Sequence, residues 1–343
     1  MKIDVRLDLQ RNYSKVTEKL FVTGNEGYWS NLDRQENERL NDAVQKMDIR
    51  KAVKAEFPDL YNIIFSPKRQ AGIELLNLSG SERCVDYGCM WGALTISLAK
   101  RCGYVLGVDQ TLDSLRFLDK RIKDEKLDNI DLLCTDLKKL DNFRDCFDIA
   151  VVNGVLEWIA EEGAIELKNY FGRHQPKRYT GNPGQQQLSF LKDVYKNLSI
   201  NGKLYLAIEN RFDFKMFFGC PDPHANLPFV SFLPRRIANW LSYIKLGRPY
   251  INWLYSFSGI KEMLSKAGFT KIDLYMCFPD YRYPERIIPY SGSLKNFNPT
   301  IALVNEKGQK PLRRLLARLG EIIIFNKLRL KCLAPSVIAI AHK

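Results

Sequence analysis

Val85-Asp86-Tyr87-Gly88-Cys89-Met90-Trp91-Gly92 decides the fold. A short β-rich run beginning at Arg83 leads into it, and an amphipathic stretch over 91–102 leads out, so it reads as the turn of a strand–turn–helix unit. Gly88 permits a tight turn and close approach of the backbone to a ligand, while Gly92 lets the new helix lie against the sheet. Gly-rich turns of this kind bind nucleotides generally.

Outward from this turn the text alternates between short strands and amphipathic helices, the pattern of βαβ units in an α/β fold with a mostly parallel sheet. Strands are predicted near 83–88, 104–109, 130–136, 147–153, 203–209, 270–277 and 336–342, and helices near 91–102, 111–127, 184–198 and 258–267. Leu112, Leu115, Leu118 and Ile122 form the buried stripe of the second helix. Asn201-Gly202 reads as the stop after the 184–198 helix. The second strand ends in Asp109, 17 residues after Gly92, where a carboxylate can accept both hydroxyls of a ribose. The third ends in Thr135-Asp136-Leu137, with Asp136 placed for an adenine amine and Leu137 for its ring. The fourth ends in Asn153-Gly154-Val155-Leu156-Glu157.

Asp-x-Gly-x-x-x-Gly, an acid after strand two, Thr-Asp after strand three and Asn-Gly-Val-Leu-Glu after strand four together resemble the class I S-adenosylmethionine-dependent methyltransferases, over about residues 80–210 plus two closing strands. The resemblance implies a Rossmann-like, seven-stranded, mostly parallel sheet with helices on both faces and an antiparallel last strand. It also implies S-adenosylmethionine as cofactor, with Asp86 and Gly88 by its methionine part, Asp109 by the ribose and Asp136 and Leu137 by the adenine. Gly92 and Asn153 complete the expected cofactor-binding set. Met90 stands where many members have a second glycine, and Trp158 replaces a histidine often found after the strand-four run. A nicotinamide-dependent dehydrogenase is the natural competitor, but it prefers Gly-x-Gly-x-x-Gly, which Met90 breaks. A second run, Ala207-Ile208-Glu209-Asn210-Arg211-Phe212 with Phe218-Gly219-Cys220-Pro221-Asp222-Pro223-His224, is similar to bacterial methyltransferases of surface-polysaccharide and other glycan biosynthesis. It departs from them at Asp213 and Pro223.

Methyl transfer from a sulfonium is an in-line displacement in which the protein supplies alignment, desolvation and in some cases a base. Of three histidines, His342 lies beside the terminus and His174 in a Lys- and Arg-flanked loop; His224 follows strand five, where the transferred methyl is expected to point. His224, Glu209 and Asn210 are therefore the candidate catalytic residues, with Glu157 a second base or a loop-positioning group. Tyr281, Arg282, Tyr283 and Arg286 suit a sugar or phosphate.

The 343 residues are 45% hydrophobic and 27% charged, which supports a large folded core and excludes disorder as the main state. No apolar run reaches the length of a membrane span and the start lacks a signal peptide's apolar stretch, so a cytoplasmic protein is expected. Eight cysteines without a Cys-x-x-Cys pair read as packing residues, and no metal site is expected. The organisation expected is a helical N-terminal extension (1–80), a cofactor-binding core (81–209), a substrate-cap insertion (210–257), a core helix with strand six (258–277), a basic insertion (278–335) and the last core strand (336–343). Lys plus Arg and Asp plus Glu are equal at 31 each over 1–210, but number 21 and 8 over 211–343, so the whole +13 excess lies in the later region.

Both insertions are expected to rim the active site and set this charge around an acidic acceptor, a small molecule or a glycan. A helix with Leu312, Leu315, Leu316, Leu319 and Ile323 on one face and Arg313, Arg314 and Arg318 on its flanks suits peripheral contact with the anionic inner face of a membrane. The function expected is O-methylation of a sugar, glycan or other anionic or lipid-linked acceptor. The alternatives are methylation of an RNA ribose 2′-hydroxyl and a non-catalytic binding protein. Base methylation lacks its Asn-Pro-Pro-Tyr, Asp-Pro-Pro-Tyr or Pro-Cys signatures, so nucleic acid is the less favoured partner.

Overall fold

The core strands are buried along nearly their whole length and successive side chains point to opposite faces, so each strand serves two hydrophobic layers. In the computed structural model, which describes residues 5–139, 143–170, 179, 181–294 and 319–343, Val85 and Tyr87 face one buried cluster and Cys84 the other. Helices Pro183–Asn197 and Phe257–Ala267 cover the first layer, through Phe190, Leu191, Val194, Ile260 and Leu264. Thr95–Ala99 and Leu112–Asp124 cover the second, and Leu115, Leu118 and Ile122 are fully buried as the stripe predicts. Helix ends carry local signals: the Asn182 side chain accepts from Gln185 N–H at 3.2 Å, the Ser256 hydroxyl accepts from Gly259 N–H at 3.2 Å, and Gly268 leaves the last helix at φ 118°.

The sheet runs Ser14–Lys15, Leu20–Val22, Ile130–Cys134, Tyr104–Asp109, Arg83–Tyr87, Phe147–Asn153, Leu198–Glu209, Ser336–His342, Lys271–Phe278, Arg286–Pro289. The six strands from Leu20–Val22 through Leu198–Glu209 are parallel to one another, Ser14–Lys15 is antiparallel to Leu20–Val22, and Ser336–His342 is antiparallel to both of its neighbours. The seven expected strands are present with the last one reversed, but the sheet has ten strands rather than seven. Two come from the N-terminal extension, which is not purely helical: Leu20 and Phe21 are buried against the third core strand and give that edge a partner. The tenth, Arg286–Pro289, extends the far edge from within the 278–335 insertion.

Two further readings change. The 184–198 helix stops at Asn197, and Asn201, at φ 66°, turns the chain inside the strand, where the register against the fourth strand shifts. The 91–102 helix is regular only from Thr95, because 90–94 is the turn itself. His174 and residues 312–318 of the basic helix lie outside the described residues; Leu319 and Ile323 are exposed. Among the described residues no helix is long and apolar enough to cross a membrane.

Gly92 is required sterically. Its φ is +77°, and a Cβ there would stand 2.2 Å from Leu118 Cδ1. Gly163 has a similar φ of +82° but open space around it. Gly163→Ala is expected to cost only the backbone term, about 1 kcal/mol. Gly92→Ala adds overpacking of the helix against the sheet and is expected to lose about 2–5 kcal/mol. Urea-denaturation midpoints of the two variants beside the parent check the difference.

Candidate active site

The C-terminal ends of parallel strands, where the strand order reverses, form the natural crevice of an open α/β sheet. A cavity of about 470 Å³ lies there, within the usual size range of ligand pockets. Asp86, Gly88, Asp109, Asp136, Leu137 and Asn153 all line it, from four different strand tips. Gly92 does not; it stands behind the wall and packs the helix on Leu118, so its role is structural.

Asp109 organises the floor. Its Oδ2 accepts the Met90 N–H and its Oδ1 the Thr111 N–H, both at 2.8 Å. These bonds hold the turn after strand one against the tip of strand two, with Met90 at φ 45°, a conformation that favours glycine. Burial pushes the Asp109 carboxyl up to about 6 even against these hydrogen bonds. Asp86 accepts from Thr95 Oγ1 at 2.7 Å, and burial, with Asp109's charge adding, pushes it up to about 7. Asp136 is half-buried and its Oδ1 accepts the Lys138 N–H at 3.0 Å.

The cover over this floor is a surprise to the sequence reading. Among the described residues, the lining takes nothing from 210–257 or 278–335; it comes from 25–29, Arg34, Ile63 and Arg69 of the N-terminal extension and from 158–165. The described residues of the expected substrate cap and basic rim therefore do not line the cavity. Trp29–Ser30 pairs in parallel with Ile165–Glu166, and Trp29 exchanges hydrogen bonds with the Thr111 hydroxyl, both at 2.8 Å, which ties the cover to the floor. Buried Asn37 donates to Tyr28 Oη at 2.6 Å and Ser30 Oγ at 3.0 Å, bracing the same strand. The Trp29 and Trp158 rings meet edge to face at 5.2 Å and wall the cavity. Trp29, Arg34 and Arg69 were missed because nothing in their local spacing marks a site; the Gly27-Tyr28-Trp29 run is the one available cue.

The expected catalytic trio sits elsewhere. None of His224, Glu209 and Asn210 lines the cavity. Both amide hydrogens of Asn210 go to the Cys332 and Ala334 carbonyls, at 2.7 and 2.8 Å, and its Oδ1 accepts the Phe212 N–H at 3.1 Å, so it is a structural clamp. His224 lies behind Trp158, ring to ring at 5.2 Å, with Nε2 3.6 Å from Glu157 and 3.7 Å from Glu209. Burial pulls its pKa down, but Glu209, Asp222 and Glu157 outweigh that and carry it up to about 10. A histidine that faces away from the cavity does not reach an acceptor bound there. Burial, reinforced by Glu209, raises the Glu157 carboxyl too. Tyr281, which by sequence suits a sugar or phosphate, is buried with its hydroxyl against Gly154 and does not line the cavity.

This sheet order, with a cavity over the strand tips and an acid at each of the first three, defines a nucleotide-cofactor α/β protein. Residues 84–172 match a family model described as a methyltransferase domain, and the cofactor of the chain is S-adenosylmethionine. No curated protein matches the sequence. Solved structures with a likeness include one described as a possible exported protein from Bordetella parapertussis, at 13% identity over 80% of this chain and 65% of that one, TM-score 0.43. Another is an S-adenosylmethionine-dependent methyltransferase from Mesorhizobium loti, at 17% identity over 80% and 96%, TM-score 0.41. A third is a Haemonchus contortus phosphoethanolamine N-methyltransferase 2 with S-adenosylhomocysteine, at 14% identity over 89% and 60%, TM-score 0.45. The chain thus spans under two thirds of the first and third of these proteins.

Asp109→Ala is expected to weaken cofactor binding about 30- to 150-fold, the loss of a charged acceptor worth about 2–3 kcal/mol. The parent's affinity is expected to fall below pH 6, because Asp109 takes up a proton there and must release it to accept the ribose hydroxyls. Asp109→Asn removes that part of the pH dependence. Calorimetric titration from pH 5 to 8 checks both; equal affinities for parent and Asp109→Ala would remove the residue from the ribose site.

Proposed function

We propose that the protein transfers the methyl group of S-adenosylmethionine to a hydroxyl oxygen of a sugar, glycan or other small polar acceptor that is lipid-linked. The S–CH₃ bond breaks as the O–CH₃ bond forms, S-adenosylhomocysteine leaves, and the hydroxyl proton passes to solvent. The observation that carries the acceptor class is the cover: two tryptophan rings inclined at 69°, with Arg34 and Arg69 lining the same cavity, over the cofactor floor. Aromatic faces with fixed guanidinium groups suit a ring of hydroxyls bearing an acidic substituent. Among the described residues of the same lining acids outnumber bases, which disfavours a polyanionic RNA strand at this cavity.

The lipid-linked part of the reading is supported by the outer surface of 210–257. Ile237, Trp240 and Ile244 are exposed along one helix, Trp240 by 63%, with Arg236 and Lys245 exposed beside them, and Phe217, Phe218 and Phe229 are exposed nearby in the chain. An apolar stripe flanked by cations suits peripheral contact with an anionic bilayer.

Tritiated-methyl transfer into fractionated cell extract tests the acceptor, with label expected in glycan or glycolipid rather than RNA or protein. Trp158→Ala is expected to lower kcat/KM for that acceptor about 10- to 100-fold by loosening its alignment, while cofactor affinity stays within about threefold. Equal loss of both would return Trp158 to the cofactor site. In vesicle co-sedimentation, binding is expected to rise with anionic lipid, weaken with salt and drop in Trp240→Glu. A parent protein that stays in the supernatant on strongly anionic vesicles at low salt removes the membrane from the reading.

A further inference from the structure

Three ionisable side chains from three separate segments converge outside the cavity. Glu157 sits in the 3-10 turn Leu156–Trp158 after the fourth core strand, Glu209 ends the fifth, and His224 belongs to the following insertion. They are 1%, 5% and 3% exposed. One ligand atom from each lies within 4.8 Å of the others, with His224 Nε2 3.6 Å from Glu157 Oε1 and 3.7 Å from Glu209 Oε2. Among the described residues, both carboxylate oxygens of Glu157 and Oε2 of Glu209 have no hydrogen-bond partner. A buried carboxylate in that condition is costly unless a cation compensates it.

We propose that Glu157, Glu209 and His224 bind one divalent transition-metal ion, of the Mn²⁺ to Zn²⁺ range, which clamps the 210–257 insertion to the sheet. Ligands about 2.1 Å from a tetrahedral ion stand about 3.4 Å apart, close to the separations here. A proton on Nε2, the competing cation, donates a single bond, and it stands beyond hydrogen-bond distance of both carboxylates. Two carboxylates, a neutral imidazole and a divalent ion sum to zero charge, which suits burial. The imidazole nitrogen selects against Mg²⁺ and Ca²⁺, which take oxygen ligands.

The surroundings fit a ligand histidine. Asp222 Oδ1 lies 3.7 Å from Nδ1, like the glutamates beyond hydrogen-bond distance, but on the side away from them, where a carboxylate can orient a metal-bound imidazole. Asp222 is itself held by the His224 and Ala225 N–H groups at 2.8 and 2.9 Å and by Tyr250 Oη at 3.0 Å. The far side of the imidazole touches Trp158, so the clamp also sets the indole that walls the cavity. The three residues act as positioning groups, and the inference stands independently of the acceptor proposed above.

The full chain, produced with Zn²⁺ and Mn²⁺ in the medium and dialysed, is to be assayed by elemental mass spectrometry and by thermal unfolding with each ion, with Mg²⁺ as contrast. About one equivalent of metal is expected in the parent, and a midpoint that rises with Zn²⁺ or Mn²⁺ and not with Mg²⁺. His224→Ala and Glu209→Gln are expected to lose the metal. Asp222→Asn, which keeps a hydrogen-bond acceptor, is expected to weaken affinity about 10- to 100-fold; if the first two variants do not fold, this one and the parent decide. A parent with neither retained metal nor a metal-dependent midpoint overturns the proposal and leaves a protonated imidazole between the glutamates. Equal metal in parent and folded variants overturns it as well, because the ion then binds elsewhere.

Discussion

The Asp109 carboxylate is the joint on which the cofactor floor depends. A carboxylate buried at a strand tip must have its oxygens satisfied, and both receive backbone N–H groups from turns that follow different strands. That requirement draws the turn after strand one over the tip of strand two and holds Met90 in a left-handed conformation without a glycine. The same carboxylate is kept within a unit or two of neutrality by burial, as is its neighbour Asp86. A sulfonium cofactor brings positive charge to a floor poised to ionise, so binding and deprotonation favour each other.

Above the floor, the structure divides two tasks that the insertions were expected to share. The N-terminal extension both lends strands to the sheet edge and supplies Trp29, Arg34 and Arg69 to the cavity. The 210–257 insertion instead builds its own small core of Ala225, Leu227, Val230, Ala238, Leu246 and Tyr250, and turns an apolar, basic surface outward. With six Lys and Arg against two Asp, the 210–257 insertion carries part of the charge excess, and none of its residues lines the cavity. Association with an anionic surface and selection of an acceptor are then carried by different residues.

The fold was legible from residues 83–157 because each element there is local: hydrophobic period, glycine turn and polar strand tip fall within one βα unit, and a parallel sheet leaves few ways to connect them. The acids Asp86, Asp109 and Asp136 follow for the same reason, since the C-terminal ends of these parallel strands border the crevice. Gly92 shows the limit, as its spacing matches a binding motif while its contact is with Leu118 behind the wall.

Tertiary structure alone decided the rest, and the physical reason is that the remaining groups meet across long stretches of chain. Trp29 reaches Trp158 because a two-residue strand pairs with Ile165–Glu166, a register that no local periodicity encodes. His224, Asn210 and Glu209 stand at a strand end in sequence, yet Asn210 is consumed by carbonyls more than a hundred residues away and His224 is turned toward buried carboxylates rather than the cavity. The succession of core strands and helices and the acids at the strand tips are properties of short segments, so the sequence by itself determined them. Which side chains close the cavity, and which charges neutralise one another in the interior, depends on packing between segments, so only the folded chain determines it.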